Sequence, residues 1–96
     1  MRIFGNINGI DILYSDIFTK EDNECVKVSV VSYNPNGKKR SAVCILPELA
    51  WSEINNFDEI TIKYLENIIV YYKELIAKEA REKKGKKNIK KLFQVK

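Results

Sequence analysis

Between Phe57 and Lys84 the apolar residues recur with a period of about 3.6, and no other stretch of the chain restricts the fold so strongly. At about 100° per residue, Phe57, Ile60, Tyr64, Leu65, Ile68, Ile69, Tyr71, Tyr72, Leu75 and Ile76 share one arc, with Glu59, Lys63, Glu66, Asn67, Lys73 and Glu74 opposite. The pattern predicts one long amphipathic helix lying on a core. Asp58 is placed to cap its first turn, and Phe57 and Ile62 are spaced as a hydrophobic staple. Arg81, Lys83 and Lys84 suit the negative end of the helix dipole, and Gly85 can take the left-handed conformation that ends a helix. The arc is wider than one sheet face requires. Tyr71 and Tyr72 point about 100° apart, so one of them is expected to look past the sheet.

The residues before the helix read as strands. Arg2 to Ile7 and Ile10 to Tyr14 flank Asn8-Gly9, a dipeptide that accepts the positive φ angles of a two-residue hairpin turn. The second of these strands is expected to run on to about Phe18 and give way to a polar loop at 19–23. Glu24 to Tyr33 alternates, with Val26, Val28 and Val30 on one side and Cys25, Lys27, Ser29, Val31 and Tyr33 on the other, which predicts a half-buried strand. Asn34-Pro35-Asn36-Gly37 is a turn, because Pro35 presets φ and Asn36 and Gly37 tolerate φ > 0. The return strand runs from Lys39 to Leu46, with Val43 and Ile45 matched to the valines and Ala42, Cys44 and Leu46 facing away. Pro47 ends it, and residues 48–56, with Leu49, Trp51 and Ile54, read as a loop or single helical turn closing the core. Gly5 is a candidate β-bulge. The expected fold is α+β: a four-stranded antiparallel meander of two hairpins, packed against one long C-terminal helix.

The net charge of +4 is unevenly distributed. Residues 83–96 carry seven lysines and no acid, whereas residues 1–82 hold ten basic and thirteen acidic side chains, a net −3. Residues 1–85 are therefore read as a single domain and 86–96 as a lysine-rich tail. Ile89, Leu92, Phe93 and Val95 are apolar enough for that tail to dock on the domain. Phosphate contacts would come from Lys83, Lys84, Lys86, Lys87, Lys90 and Lys91, with Lys38, Lys39 and Arg40 as a second cluster. Without arginine in the tail, such contacts would be largely independent of base sequence.

Several classes of chemistry are disfavoured. The chain has no histidine, which removes the most adaptable general base near neutral pH and every Ser-His or Cys-His nucleophile pair. The four glycines stand apart, so there is no phosphate-cradling loop. Cys25 and Cys44, on neighbouring strands and expected on one face, are too few for a disulfide framework or a tetrahedral metal site. No catalytic, cofactor-binding or metal-binding residue is therefore assigned. No apolar run approaches the ~20 residues of a membrane span, and the N-terminal stretch lacks a signal-peptide pattern, so the expected location is the cytoplasm. Heavy use of Ile, Lys and Asn points to A+T-rich coding in a bacterium or its phage.

The remaining expectation is an interaction protein. Tyr71, Tyr72, Tyr33, Val31 and Leu46 are the candidate partner-binding residues, drawn from the helix flank and from an apolar strip on the far side of the sheet, and they imply a protein partner and a homodimer. The alternative is a sequence-independent nucleic-acid-binding protein acting through the tail. In outline, an antiparallel sheet followed by one long helix resembles the HicB-type antitoxins, small sheet-and-helix proteins of bacteria and phage. The aromatic and glycine pattern of HicB strands is not found here, so no residue is carried over from them.

Overall fold

The structure is a computed structural model that describes the backbone of residues 1–95 and the side chains of residues 1–82. Its elements are β1 (Arg2–Ile7), β2 (Ile10–Tyr14), β3 (Phe18–Lys20), β4 (Asn23–Tyr33), β5 (Lys39–Leu46), β6 (Ala50–Asn55) and α1 (Glu59–Val95). The protein is α+β, with an antiparallel sheet of six strands rather than four. The spatial order is β1-β2-β4-β5-β6, with β3 also paired to β4.

The Asn8-Gly9 turn forms as expected, with φ of 52° and 82°. The β1–β2 register shifts between Ile3 and Gly5, the bulge anticipated at Gly5. β2 and β3 lie end to end along the same side of β4, pairing with its residues 28–31 and 23–25. Between them, Ser15 bridges the gap: its N–H donates to the Lys27 carbonyl and its Oγ accepts from the Lys27 N–H, both at 2.9 Å. The expected second strand is thus one excursion broken at Ser15–Ile17. The polar loop at 19–23 is the end of a hairpin, turning at Glu21 and Asp22 with φ of 51° and 66°.

The sixth strand replaces the expected loop or helical turn after Pro47. Trp51 pairs with Cys44 and Ala50 with Ile45, while a register shift between Ser41 and Val43 breaks the alternation of this edge strand. That irregularity, with five of its six residues exposed, is why no period-two pattern marks it.

The β4–β5 register corrects the expected faces. Tyr33 pairs with Lys39, so the connection holds five residues rather than four, and Val26, Val28 and Val30 stand opposite Leu46, Cys44 and Ala42. Directly paired residues share a face, and a one-residue change exchanges the two faces of a strand. Ala42, Cys44 and Leu46 therefore join the valines in the core, and Val43 and Ile45 face outward.

The core lies between this inner face and α1. Ile10, Ile12 and Tyr14 from β2, the three valines, Ala42, Cys44 and Leu46 meet Leu65, Ile69, Ile76 and Ala80. Ile62, Ile68 and Tyr72 pack on this cluster with part of their surface exposed. Only a stripe of the apolar arc faces the sheet, because a flat surface contacts a helix over little more than one row of side chains on each side of its line of approach.

The helix begins as predicted. The Asp58 carboxylate accepts from the Thr61 N–H at 2.7 Å, and Phe57 and Ile62 both pack on the core. It does not end at Gly85: α1 continues through that residue to Val95. The hydrogen bonds from Thr61 hold the Asp58 carboxyl below its ordinary pKa. A carboxyl whose folded pKa is depressed stabilises the fold above its unfolded value, about 4, and loses that contribution as pH falls through the folded value. Asp58→Asn keeps a capping oxygen without the charge, so its melting temperature should fall less than that of the native chain on acidification from about pH 5 to pH 2. Thermal melts across that range measure the difference.

Candidate functional site

Among the described residues, two apolar surfaces remain uncovered once the core is closed. The first is the outer flank of α1. Ile60 and Tyr71 are 82% and 80% exposed, and Tyr64 and Leu75 43% and 47%. These four belong to the predicted apolar arc but lie beyond the stripe that the sheet covers. Tyr71 is the tyrosine that looks past the sheet. Tyr72 turns inward, edge-on to Phe4 at 5.6 Å between ring centres and to Tyr71 at 4.8 Å. The Asn8 side-chain amide donates to the Tyr64 hydroxyl, so the first hairpin turn tethers this flank.

The second surface is the face of the sheet opposite α1. The pairings align Ile3, Leu13, Ser29, Val43 and Ser52 in one row and Asn6, Asp11, Val31, Ser41 and Asn55 in the next. Lys27, Ile45 and Ala50 form a third row, and Tyr33 pairs with Lys39 at the end. Ile3 is 72% and Tyr33 62% exposed, while Leu13, Val31, Val43 and Ile45 are half-buried by their neighbours. None of the described elements lies across this face.

Of the five candidate partner-binding residues, Tyr71, Tyr33 and Val31 are on these surfaces and Tyr72 borders the first. Leu46 is not: it is 4% exposed, in the core opposite Val26. Its expected place on the outer strip followed from a four-residue turn, and the fifth residue, Lys38, moves it inside. Leu13, Val43 and Ile45 take its place on the outer face. The turn length is the signal that would have found them.

The basic residues divide in the same way. Lys38 and Lys39 are exposed at the β4–β5 connection. Arg40 is drawn into the structure, with its guanidinium 5.0 Å from the Phe57 ring centre and an N–H donated to Ser32 Oγ at 3.2 Å. Ser32 in turn donates to the Gly9 carbonyl, so Arg40 braces the open end of the core. The side chains of Lys83, Lys84, Lys86, Lys87, Lys90 and Lys91, and the expected docking of Ile89, Leu92 and Phe93, lie outside the described residues.

The chemistry that can be located is structural. Cys25 and Cys44, expected on one face, stand on opposite faces of the sheet, although both are buried. Burial, followed by the nearby Glu66 carboxylate, pushes the Cys44 thiol up to about 11, which keeps it neutral and unreactive near pH 7. Glu66 itself accepts from the Trp51 indole N–H at 3.0 Å, binding α1 to β6 instead of facing solvent as its helical position suggested. Among the described residues, no three Cys, Asp or Glu side chains gather as a metal site would require. A groove beside α1 is bounded by Ile17, Pro47, Lys73 and Glu74 and crossed by the Arg81–Glu24 ion pair at 3.7 Å. Among the described residues, no helix is long and apolar enough to cross a membrane. No protein-family model matches the chain, and no curated protein or solved structure matches it either.

Proposed function

We propose that this chain is a small non-catalytic protein-binding module of a bacterial or phage cytoplasm, and that the outer face of its sheet receives the partner. The observation that carries this reading is the composition of that face. A solvated face of an antiparallel sheet is ordinarily polar, whereas this one places Leu13, Val31, Val43 and Ile45 across its three central strands, β2, β4 and β5. Between them stand Ser29 and Ser41, small hydroxyl side chains that let another surface approach closely. Tyr33 and Ile3, both exposed, extend the apolar area at its margins, and tyrosine is among the residues that contribute most at interface centres.

Purification of the full chain from its native cell is the test. A stoichiometric protein partner is expected with the native sequence and is expected to be lost with Val31→Lys combined with Val43→Lys. The melting temperature of that variant should stay within a few degrees, because both side chains face outward. Retention of the partner by the double variant would remove the sheet face from consideration. The alternative function, sequence-independent nucleic-acid binding through the lysines beyond residue 82, predicts co-purifying nucleic acid that dissociates steeply with salt.

A further inference from the structure

The exposed flank of α1 has an internal symmetry that the core does not require. Ile60, Tyr71, Tyr64 and Leu75 fall within an arc of about 60° at about 100° per residue, forming one seam along the helix. Ile60 and Leu75 are equidistant from the midpoint between Asn67 and Ile68, and so are Tyr64 and Tyr71. Turned end for end about that midpoint, the seam meets itself, Ile60 on Leu75 and Tyr64 on Tyr71. Its length, about 22 Å at 1.5 Å per residue, is four helical turns.

The charges beside the seam follow the same symmetry with opposite signs. Lys63, Asn67 and Glu74 line one side of it, and Lys63 and Glu74 lie on opposite sides of the midpoint at distances that differ by about 3 Å along the axis. In an antiparallel pair, flanking residues of one helix face the same flank of the other, so Lys63 of each chain faces Glu74 of its partner and the two Asn67 amides meet near the axis. In a parallel pair, each flank of the helix would meet the opposite flank of its partner, so Lys63 and Glu74 would not face one another and this charge pairing would be lost. Neither side chain is used inside the chain: among the described residues, the ion pairs are Arg2–Asp16, Lys78–Glu82 and Arg81–Glu24.

We infer that the outer flank of α1 is the self-association surface of this protein, and that a second copy of the chain docks on it antiparallel about a two-fold axis at Asn67 and Ile68. The inference rests on reading the exposed helix flank as an interaction surface, and it does not depend on the partner assigned to the sheet. A two-fold contact is self-complementary by construction, which is the property this seam displays. One helix face is small beside the roughly 800 Å² per partner of a standard interface, so the dimer should be reversible and concentration-dependent.

Analytical ultracentrifugation of the full chain, from about micromolar to about half-millimolar, tests the surface and the register together. The native chain is expected to pass from monomer to dimer. Tyr71→Glu should be monomeric throughout with an unchanged melting temperature, since Tyr71 is exposed and its loss leaves the core intact. Lys63→Glu alone and Glu74→Lys alone should each weaken the dimer about tenfold or more at low salt, and the two combined should restore it. A native chain that stays monomeric overturns the inference. So does a dimer indifferent to Tyr71→Glu, which would place the contact elsewhere, or a charge exchange that fails to restore association, which would remove the antiparallel register. In each of these cases, a partner still captured through Val31 and Val43 would leave the proposed function standing.

Discussion

Ile69→Asp should leave the chain unfolded at room temperature, whereas Val70→Asp, one residue along the same helix, should shift the melting temperature by only a few degrees. Ile69 is fully buried where α1 crosses the sheet, in one cluster with Val28, Val30 and Cys44. A carboxylate there would be desolvated with no cation in the cluster to pair with, at a cost of several kcal/mol, against a total stability of about 5 to 15 kcal/mol for a domain of ordinary size. Val70 lies outside the core cluster with 42% of its surface exposed, so a carboxylate there can reach water. Circular dichroism melts of the two variants decide the matter. Similar melting temperatures would show that α1 does not present this face to the sheet.

The second large effect lies in β5. Ala42→Lys should abolish folding and Val43→Lys should be tolerated, although the two are neighbours in the chain and valine is the larger apolar residue. Ala42 is completely buried opposite Val30, so a lysine would both overpack the layer beneath α1 and bury an unpaired ammonium. Val43 faces outward opposite Ser29 and Ser52, where a lysine can lay its stem along the sheet and keep its charge in water. Urea denaturation of both variants gives the comparison. The opposite outcome, with Val43→Lys lost and Ala42→Lys folded, would restore the four-residue turn and the reversed faces that go with it.

The same contrast separates what is local in this protein from what is not. Features that rest on neighbours along the chain were legible in the order of the residues. The period of α1, the Asp58 cap, the Asn8-Gly9 turn, the bulge at Gly5 and the span of β5 all follow from side chains within a few residues of one another, and all of them form. Even the surplus of the helix arc was legible, since ten apolar positions exceed what one sheet face can cover, and Tyr71 emerges on the outside accordingly.

Features that depend on a partner across a gap were set by how the strands and helix pack. Which strand residues are buried was set by one extra residue in the β4–β5 connection, because side chains alternate with period two and pairing has to choose a phase. That choice took Leu46 inside and put Val43 and Ile45 out. β3 and β6 were hidden for related reasons. β3 has three residues and a turn, Glu21-Asp22, built without glycine, and β6 carries a bulge that erases its alternation. Neither has a periodic signal of its own, and each exists as a strand because a longer neighbour offers it a ladder. The division of the helix arc into a buried stripe and an exposed seam was likewise settled by the sheet, which covers Leu65, Ile69, Ile76 and Ala80 and leaves Ile60, Tyr64, Tyr71 and Leu75 to whatever approaches from outside.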